Sequence, residues 1–96
     1  MRLTHKEIDF IKKTIFKYIK GDIYIFGSRL DNKVRGGDVD IYIIPQTFLD
    51  VSTREKLKFI ISDILEDELF MPVDIIISKD KNREIEKIAS KGVKIG

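Results

Sequence analysis

Two stretches decide how this chain folds: Asp22-Ile23-Tyr24-Ile25-Phe26-Gly27-Ser28-Arg29 and Gly37-Asp38-Val39-Asp40-Ile41-Tyr42-Ile43-Ile44. Each is rich in β-branched and aromatic residues, the composition of a strand. Gly27 ends the first run and Pro45 closes the second. Alternation along the second run sends Val39, Ile41 and Ile43 to one side. Asp38 and Asp40 point to the other side, about 7 Å apart along the backbone. The polar segment Ser28 to Gly37 between the runs is long enough for an antiparallel return.

The remaining elements follow outward from this pair. Upstream, Thr4 and Glu7 have capping-box spacing, and Ile8, Ile11, Ile15 and Ile19 recur on one helical face. This predicts a helix of roughly four turns stopped by Gly21, with its lysines on a solvated face. Downstream, Asp50 and Ser52 offer caps for a helix over Thr53 to Leu69. Its face runs through Leu57, Ile60, Ile61, Ile64, Leu65 and Glu68. Pro72 breaks the chain, Val73 to Ser78 reads as a third strand, and Asp80 or Asn82 caps a last helix ended by Gly92. The order is α-β-β-α-β-α. Strands two and three, joined through a helix, suit a right-handed parallel crossover. The expected fold class is α/β (α+β), a small mixed three-stranded sheet with helices on one face.

Composition bounds the rest. Ninety-six residues form one domain, 1–96. Their 43% apolar and 35% charged content belongs to a globular chain rather than a disordered one. No apolar run approaches a membrane span, and Met1 to Glu7 has no signal core, so a cytoplasmic location is expected. The chain has no cysteine, which excludes disulfides and thiolate chemistry. A net charge of +2, from 18 basic and 16 acidic residues, lacks the basic excess of a dedicated nucleic-acid binder.

The chemistry concentrates between the first two strands. Asp38 and Asp40 repel one another and favour a cation between them; with oxygen ligands alone, Mg²⁺ or Mn²⁺ is the expected ion. Asp74, near the start of the third strand, joins them at the same sheet end if strands two and three are parallel neighbours. Three carboxylates there could hold one or two ions about 3.5–4 Å apart. Gly27 permits close approach to a phosphate, the Ser28 hydroxyl donates to its oxygens, and Arg29 either contacts phosphate or pairs with Asp31. Tyr24, Phe26 and Tyr42 read as packing residues, and His5 has no assigned chemistry. Phe48, Leu49, Phe70 and Met71, at helix boundaries, close a core edge or offer a partner surface.

Phe26-Gly27-Ser28-Arg29 followed by Gly37-Asp38-Val39-Asp40-Ile41, with Asp74 beyond, resembles the signature of the DNA polymerase β-type nucleotidyltransferase superfamily. The short length resembles its minimal nucleotidyltransferase branch. That resemblance implies the nucleotidyltransferase fold and transfer of a nucleoside monophosphate from a triphosphate, with ATP the expected donor. It implies Asp38 and Asp40 as ligands of both of two Mg²⁺ ions, and Asp74 as ligand of the one that activates the attacking hydroxyl. Gly27 and Ser28 would hold the β- and γ-phosphates. The segment from Ser28 to Asp38 is one residue shorter than in many relatives, and Gly37 stands where they carry Ser, so no role is carried over to Lys33 or Arg35. Minimal members resemble antitoxins that adenylylate a tyrosine of a HEPN-type helical toxin, which makes a protein the expected acceptor. Two other readings stand beside this one: a non-catalytic module that neutralises a partner by contact, and transfer to a small molecule or an RNA end. Surface-to-volume limits on so small a chain add the expectation of a homodimer or heterocomplex.

Overall fold

The computed structural model describes residues 3–26, 39–80 and 82–96. Helix α1 spans His5–Phe16, strand β1 Gly21–Phe26, strand β2 Val39–Pro45, helix α2 Val51–Leu69, strand β3 Val73–Ile77, helix α3 Glu84–Ala89 and strand β4 Val93–Lys94. The sheet order is β3-β2-β1-β4. Strand β1 runs antiparallel to β2, and β2 and β3 are parallel.

The capping box forms as read: the Glu7 N–H donates to Thr4 Oγ1 at 3.1 Å, and the Thr4 N–H donates to Glu7 Oε1 at 2.8 Å. Helix α1 is shorter than expected, twelve residues. It tightens into a turn in which the Tyr18 and Ile19 N–H groups both donate to the Ile15 carbonyl. Gly21 therefore opens β1 instead of stopping the helix. A Cβ there would collide with the Ile44 carbonyl across the ladder, so glycine allows the two strands to close. Helix α2 begins two residues before the expected start. Its N-cap is Asp50, whose Oδ1 accepts from the Thr53 N–H at 2.7 Å. Those hydrogen bonds hold the Asp50 carboxyl below its ordinary pKa.

The core lies between one face of the sheet and helices α1 and α2. Val39, Ile41 and Ile43 of β2 meet Ile11 and Ile15 of α1 and Ile61 and Leu65 of α2, with Ile23, Ile25 and Ile75 beside them. On α2, Leu57, Ile60 and Ile64 are half-buried and Glu68 is exposed, so the buried stripe turns toward Leu69 at the last turn. Leu49 and Met71 pack against the core, whereas Phe48 and Phe70 are exposed. His5 is exposed. No helix among the described residues is long and apolar enough to cross a membrane.

Expectations about the sheet and the last helix are corrected. The sheet has four strands, because β4 pairs with the outer edge of β1, Tyr24 opposite Lys94 and Ile25 opposite Val93. Two exposed residues carry no alternation from which a strand could be read. The helices also do not share one face. Tyr42 alternates with the core residues Ile41 and Ile43, so it points away from α1 and α2, and its hydroxyl donates to Glu86 Oε1 of α3 at 2.9 Å. Helix α3 therefore covers the second face. Neither Asp80 nor Asn82 caps it; the N-cap is Arg83, whose side chain makes no capping bond, and Asp80 Oδ1 accepts from the Asn82 N–H instead. It ends at Ala89, three residues before Gly92, which belongs to the approach of β4.

Glu86 organises that second face. It is 1% exposed, and its carboxylate accepts from Tyr42, from Ser78 Oγ at 2.6 Å and from the Lys79 and Asp80 N–H groups at 3.0 and 2.9 Å. Arg83 Nη1 stands at 3.5 Å. Burial pushes the Glu86 carboxyl up, but these donors together hold it below its ordinary value of 4.5. Burial and the adjacent carboxylate push the Tyr42 phenol up.

Removing the carboxylate by Glu86→Ala strands several buried donors and lowers unfolding stability by on the order of 3 kcal/mol, while Tyr42→Phe costs about 1 kcal/mol; chemical denaturation measures both. Because the folded carboxyl lies below its unfolded value, its contribution is complete at neutral pH. It starts to fall below about pH 4.5 and is lost as the pH drops through the folded value. A Cβ at Gly92 would strike the Ile25 carbonyl. Gly92→Ala should therefore detach β4 and accelerate hydrogen exchange at the Ile95 amide, which donates to the Ile23 carbonyl at 2.8 Å.

Candidate active site at the head of the parallel strand pair

Because β2 and β3 are parallel, both begin at the same end of the sheet, and β1, running the other way, finishes there. The register sets Val39 opposite Val73, Asp40 opposite Asp74 and Phe26 opposite Asp40. The Val39 N–H donates to the Pro72 carbonyl at 2.9 Å, closing the ladder at its mouth. Residues opposite one another in a parallel pair point to the same face, about 4.8 Å apart. With Val39, Ile41, Val73 and Ile75 all turned into the core, Asp40 and Asp74 share the opposite face, that of Tyr42.

The two carboxylates differ in setting: Asp40 is half-buried between β1 and β3, and Asp74, on the edge strand, is exposed. The turn that delivers Asp74 is held by a residue the sequence reading passed over. Helix α2 ends on Phe70, whose backbone is left-handed with φ 56°, and the Val73 N–H then donates to Glu66 Oε2 at 2.8 Å. One signal was available. A carboxylate in the last turn of a helix opposes the helix dipole, and the last turn of α2 carries no basic residue. Glu66 is there to take up the amide that starts β3. Glu86 was missed for a different reason: on composition alone a lone glutamate on a short helix belongs on the surface.

Of the residues expected to carry the chemistry, the structure brings together Asp40 and Asp74. Gly27, Ser28, Arg29 and Asp38 lie outside the described residues. Among the described residues, no group of three or more histidine, aspartate or glutamate side chains converges. Tyr42, on the same face, is a packing residue: it is 1% exposed and its ring centroid lies 5.9 Å from that of Tyr24. Two like charges opposite one another on adjacent strands destabilise the pairing unless a cation lies between them. The donor set is carboxylate oxygen alone, which fits Mg²⁺ or Mn²⁺.

Solved structures share this architecture. Aligned over 97% of this chain and 72% of the other, the toxin–antitoxin MntA–HepT structure is 21% identical with a TM-score of 0.66. A tri-AMPylated Shewanella oneidensis HEPN toxin in complex with its MNT antitoxin matches at 21% identity over 98% of this chain and 72% of that one, with a TM-score of 0.67. A toxin–antitoxin structure with AMP-PNP matches at 23% identity over 93% and 72%, with a TM-score of 0.68. No curated protein matches the sequence. Residues 5–95, almost the whole chain, match the family model for polymerase beta nucleotidyltransferases. The strand order, the register that sets Asp40 beside Asp74 and this match agree, and the chain belongs to the polymerase beta nucleotidyltransferase family.

Proposed function

We propose that this protein is a divalent-metal-dependent nucleotidyltransferase that moves AMP from ATP to a hydroxyl of a HEPN-type protein partner, as the antitoxin of a toxin–antitoxin pair. The observation that carries the reading is the in-register pair Asp40 and Asp74 at the head of β2 and β3 in a member of this family. The structural likeness to MNT antitoxins, one of them with a tri-AMPylated HEPN toxin, supports the choice of acceptor. The structure with AMP-PNP supports the choice of donor.

In the proposed reaction the acceptor hydroxyl oxygen bonds to the α-phosphorus of ATP. The bond from that phosphorus to the bridging oxygen of pyrophosphate breaks, and pyrophosphate leaves with the electron pair. Asp38, Asp40 and Asp74 would hold two Mg²⁺ ions, with Mn²⁺ an acceptable substitute. Bound there, the metal supplies charge neutralisation for the phosphates and a more acidic attacking hydroxyl. Asp74, the exposed member of the pair, stands where an acceptor can approach, and its part is to orient the hydroxyl or take its proton. Half-buried Asp40 suits a ligand that stays in place through the cycle. Gly27 and Ser28, directly after the strand end opposite Asp40, would receive the β- and γ-phosphates, with Arg29 adding charge.

Calorimetric titration of ATP with and without Mg²⁺ should show metal-dependent binding that disappears in Asp38→Asn/Asp40→Asn, with the fold of the variant verified. Incubation of a HEPN partner with ATP and Mg²⁺ should add AMP-sized mass increments, read by mass spectrometry. Asp74→Asn should slow the transfer about 10²–10⁴-fold while binding of ATP changes far less. Failure of the folded wild-type protein, tested together with its partner, to bind ATP and to modify that partner would overturn this reading.

A further inference from the structure

A second charged site lies at the far end of β3. Past Ile77 the chain continues through Ser78 and Lys79, five residues beyond Asp74, or about 16 Å along an extended strand. There a cavity of about 210 Å³ opens between α2, β3 and the start of α3, lined by Arg54, Lys58, Lys79 and Arg83 with Glu55 as its one carboxylate. A second cavity of about 220 Å³ adjoins it, and Arg54 and Lys79 line both.

Arg54 is the unusual member. It is 9% exposed, and among the described residues its guanidinium makes one hydrogen bond, Nη1 to the Leu49 carbonyl at 2.9 Å. No carboxylate among the described residues lies within 4.0 Å of it; the exposed N-cap Asp50 feels its charge from farther away. A cation in the first turn of a helix also opposes the positive end of the helix dipole, and α2 carries no acidic residue in that turn. A buried guanidinium with four N–H donors still to satisfy is costly unless an anion meets it. The Lys58 and Lys79 ammonium groups form no ion pair among the described residues. Arg83 is partly committed to Glu86. Arg54, Lys58 and Lys79, none of them ion-paired among the described residues, thus face one cavity lined by a single carboxylate.

We propose that this cavity binds a phosphoryl oxyanion, either inorganic phosphate or the phosphate of a small phosphomonoester, at a site separate from the Asp40–Asp74 edge. Arg54 supplies planar, bidentate donors from a buried and therefore fixed position, and Lys58 and Lys79 supply mobile point charges at the rim. The cavity, about 210 Å³, admits a phosphate group with room left for water around it. The adjoining cavity, lined by Gln46, Thr47 and Phe48 beside the shared Arg54 and Lys79, has room for the organic part of an ester.

The test uses the 96-residue chain at low ionic strength in EDTA, so that no divalent ion can load the carboxylates. Inorganic phosphate and AMP are titrated separately while amide resonances are followed by NMR. Saturable shifts at Arg54, Lys58 and Lys79 are expected, weakened at least tenfold by the surface variant Lys58→Ala/Lys79→Ala and unchanged in Asp40→Asn/Asp74→Asn. Additional shifts at Thr47 and Phe48 with AMP alone assign the site to a phosphomonoester; equal affinity for the two probes assigns it to phosphate itself. The proposal is overturned if neither probe saturates, if only a polynucleotide shifts these amides, or if the aspartate variant rather than the lysine variant loses the binding.

Discussion

Along β2, every second side chain belongs to the core and the intervening ones to the opposite face, and this alternation constrains everything built around it. Val39, Ile41 and Ile43 are completely buried under α1 and α2, so sliding the strand by one residue would drive Asp40 and Tyr42 into an apolar interior. That penalty locks the register with β1 on one side and β3 on the other. It therefore also decides that Asp40 lies opposite Asp74 rather than opposite a valine. Functional geometry here is a by-product of hydrophobic packing: the core side of the strand holds the carboxylate side in position. The parallel direction of β3 matters equally, since an antiparallel β3 would carry Asp74 to the other end of the sheet.

The second face is held by polar contacts instead. Helix α3 is too short to bury much apolar surface, and Ile85 and Ile88 remain largely exposed. What fixes it is Glu86, which satisfies donors from β2, from the end of β3 and from the turn that follows. A buried carboxylate surrounded by that many donors stays ionised, and it trades the non-directional adhesion of a greasy helix for a single defined orientation. The same contacts fix the backbone of Lys79 at the rim of the basic cavity, so that cavity inherits its shape from the Glu86 network.

Most of the architecture could be read from residue order. The isoleucines of α1 repeat at helical spacing and β2 alternates without a fault, and both patterns come from burial against one partner. Strand β4 could not be read, because two exposed residues held to β1 by backbone bonds and one exposed ion pair, Lys94 with Asp22, make no alternating pattern. The side of the sheet covered by α3 was hidden for a related reason: its anchor is one buried glutamate, which looks like a surface residue until its donors are in view. Helix α1 was overestimated because Ile19 keeps the apolar stripe going after the helical hydrogen bonds have ended, and Ile19 is still buried. At the site, Asp40 and Asp74 were legible since alternation and a parallel crossover suffice to bring them together. The parts assigned to Gly27, Ser28, Arg29 and Asp38 depend on residues outside those described and belong to the proposed function. Arg54 escaped notice because it sits one turn ahead of the apolar stripe of α2.

The Glu86 network also limits how this sequence can drift. Position 86 answers to a phenol, a serine hydroxyl and two backbone amides at once, and no single apolar replacement serves them all. Two of those donors are backbone groups and cannot be mutated away. An acceptor at position 86 is therefore the part of the network that persists, while Tyr42 and Ser78 can change only in ways that leave it balanced. Among relatives that keep this helix, the residues at 42, 78 and 86 should vary together, as one character.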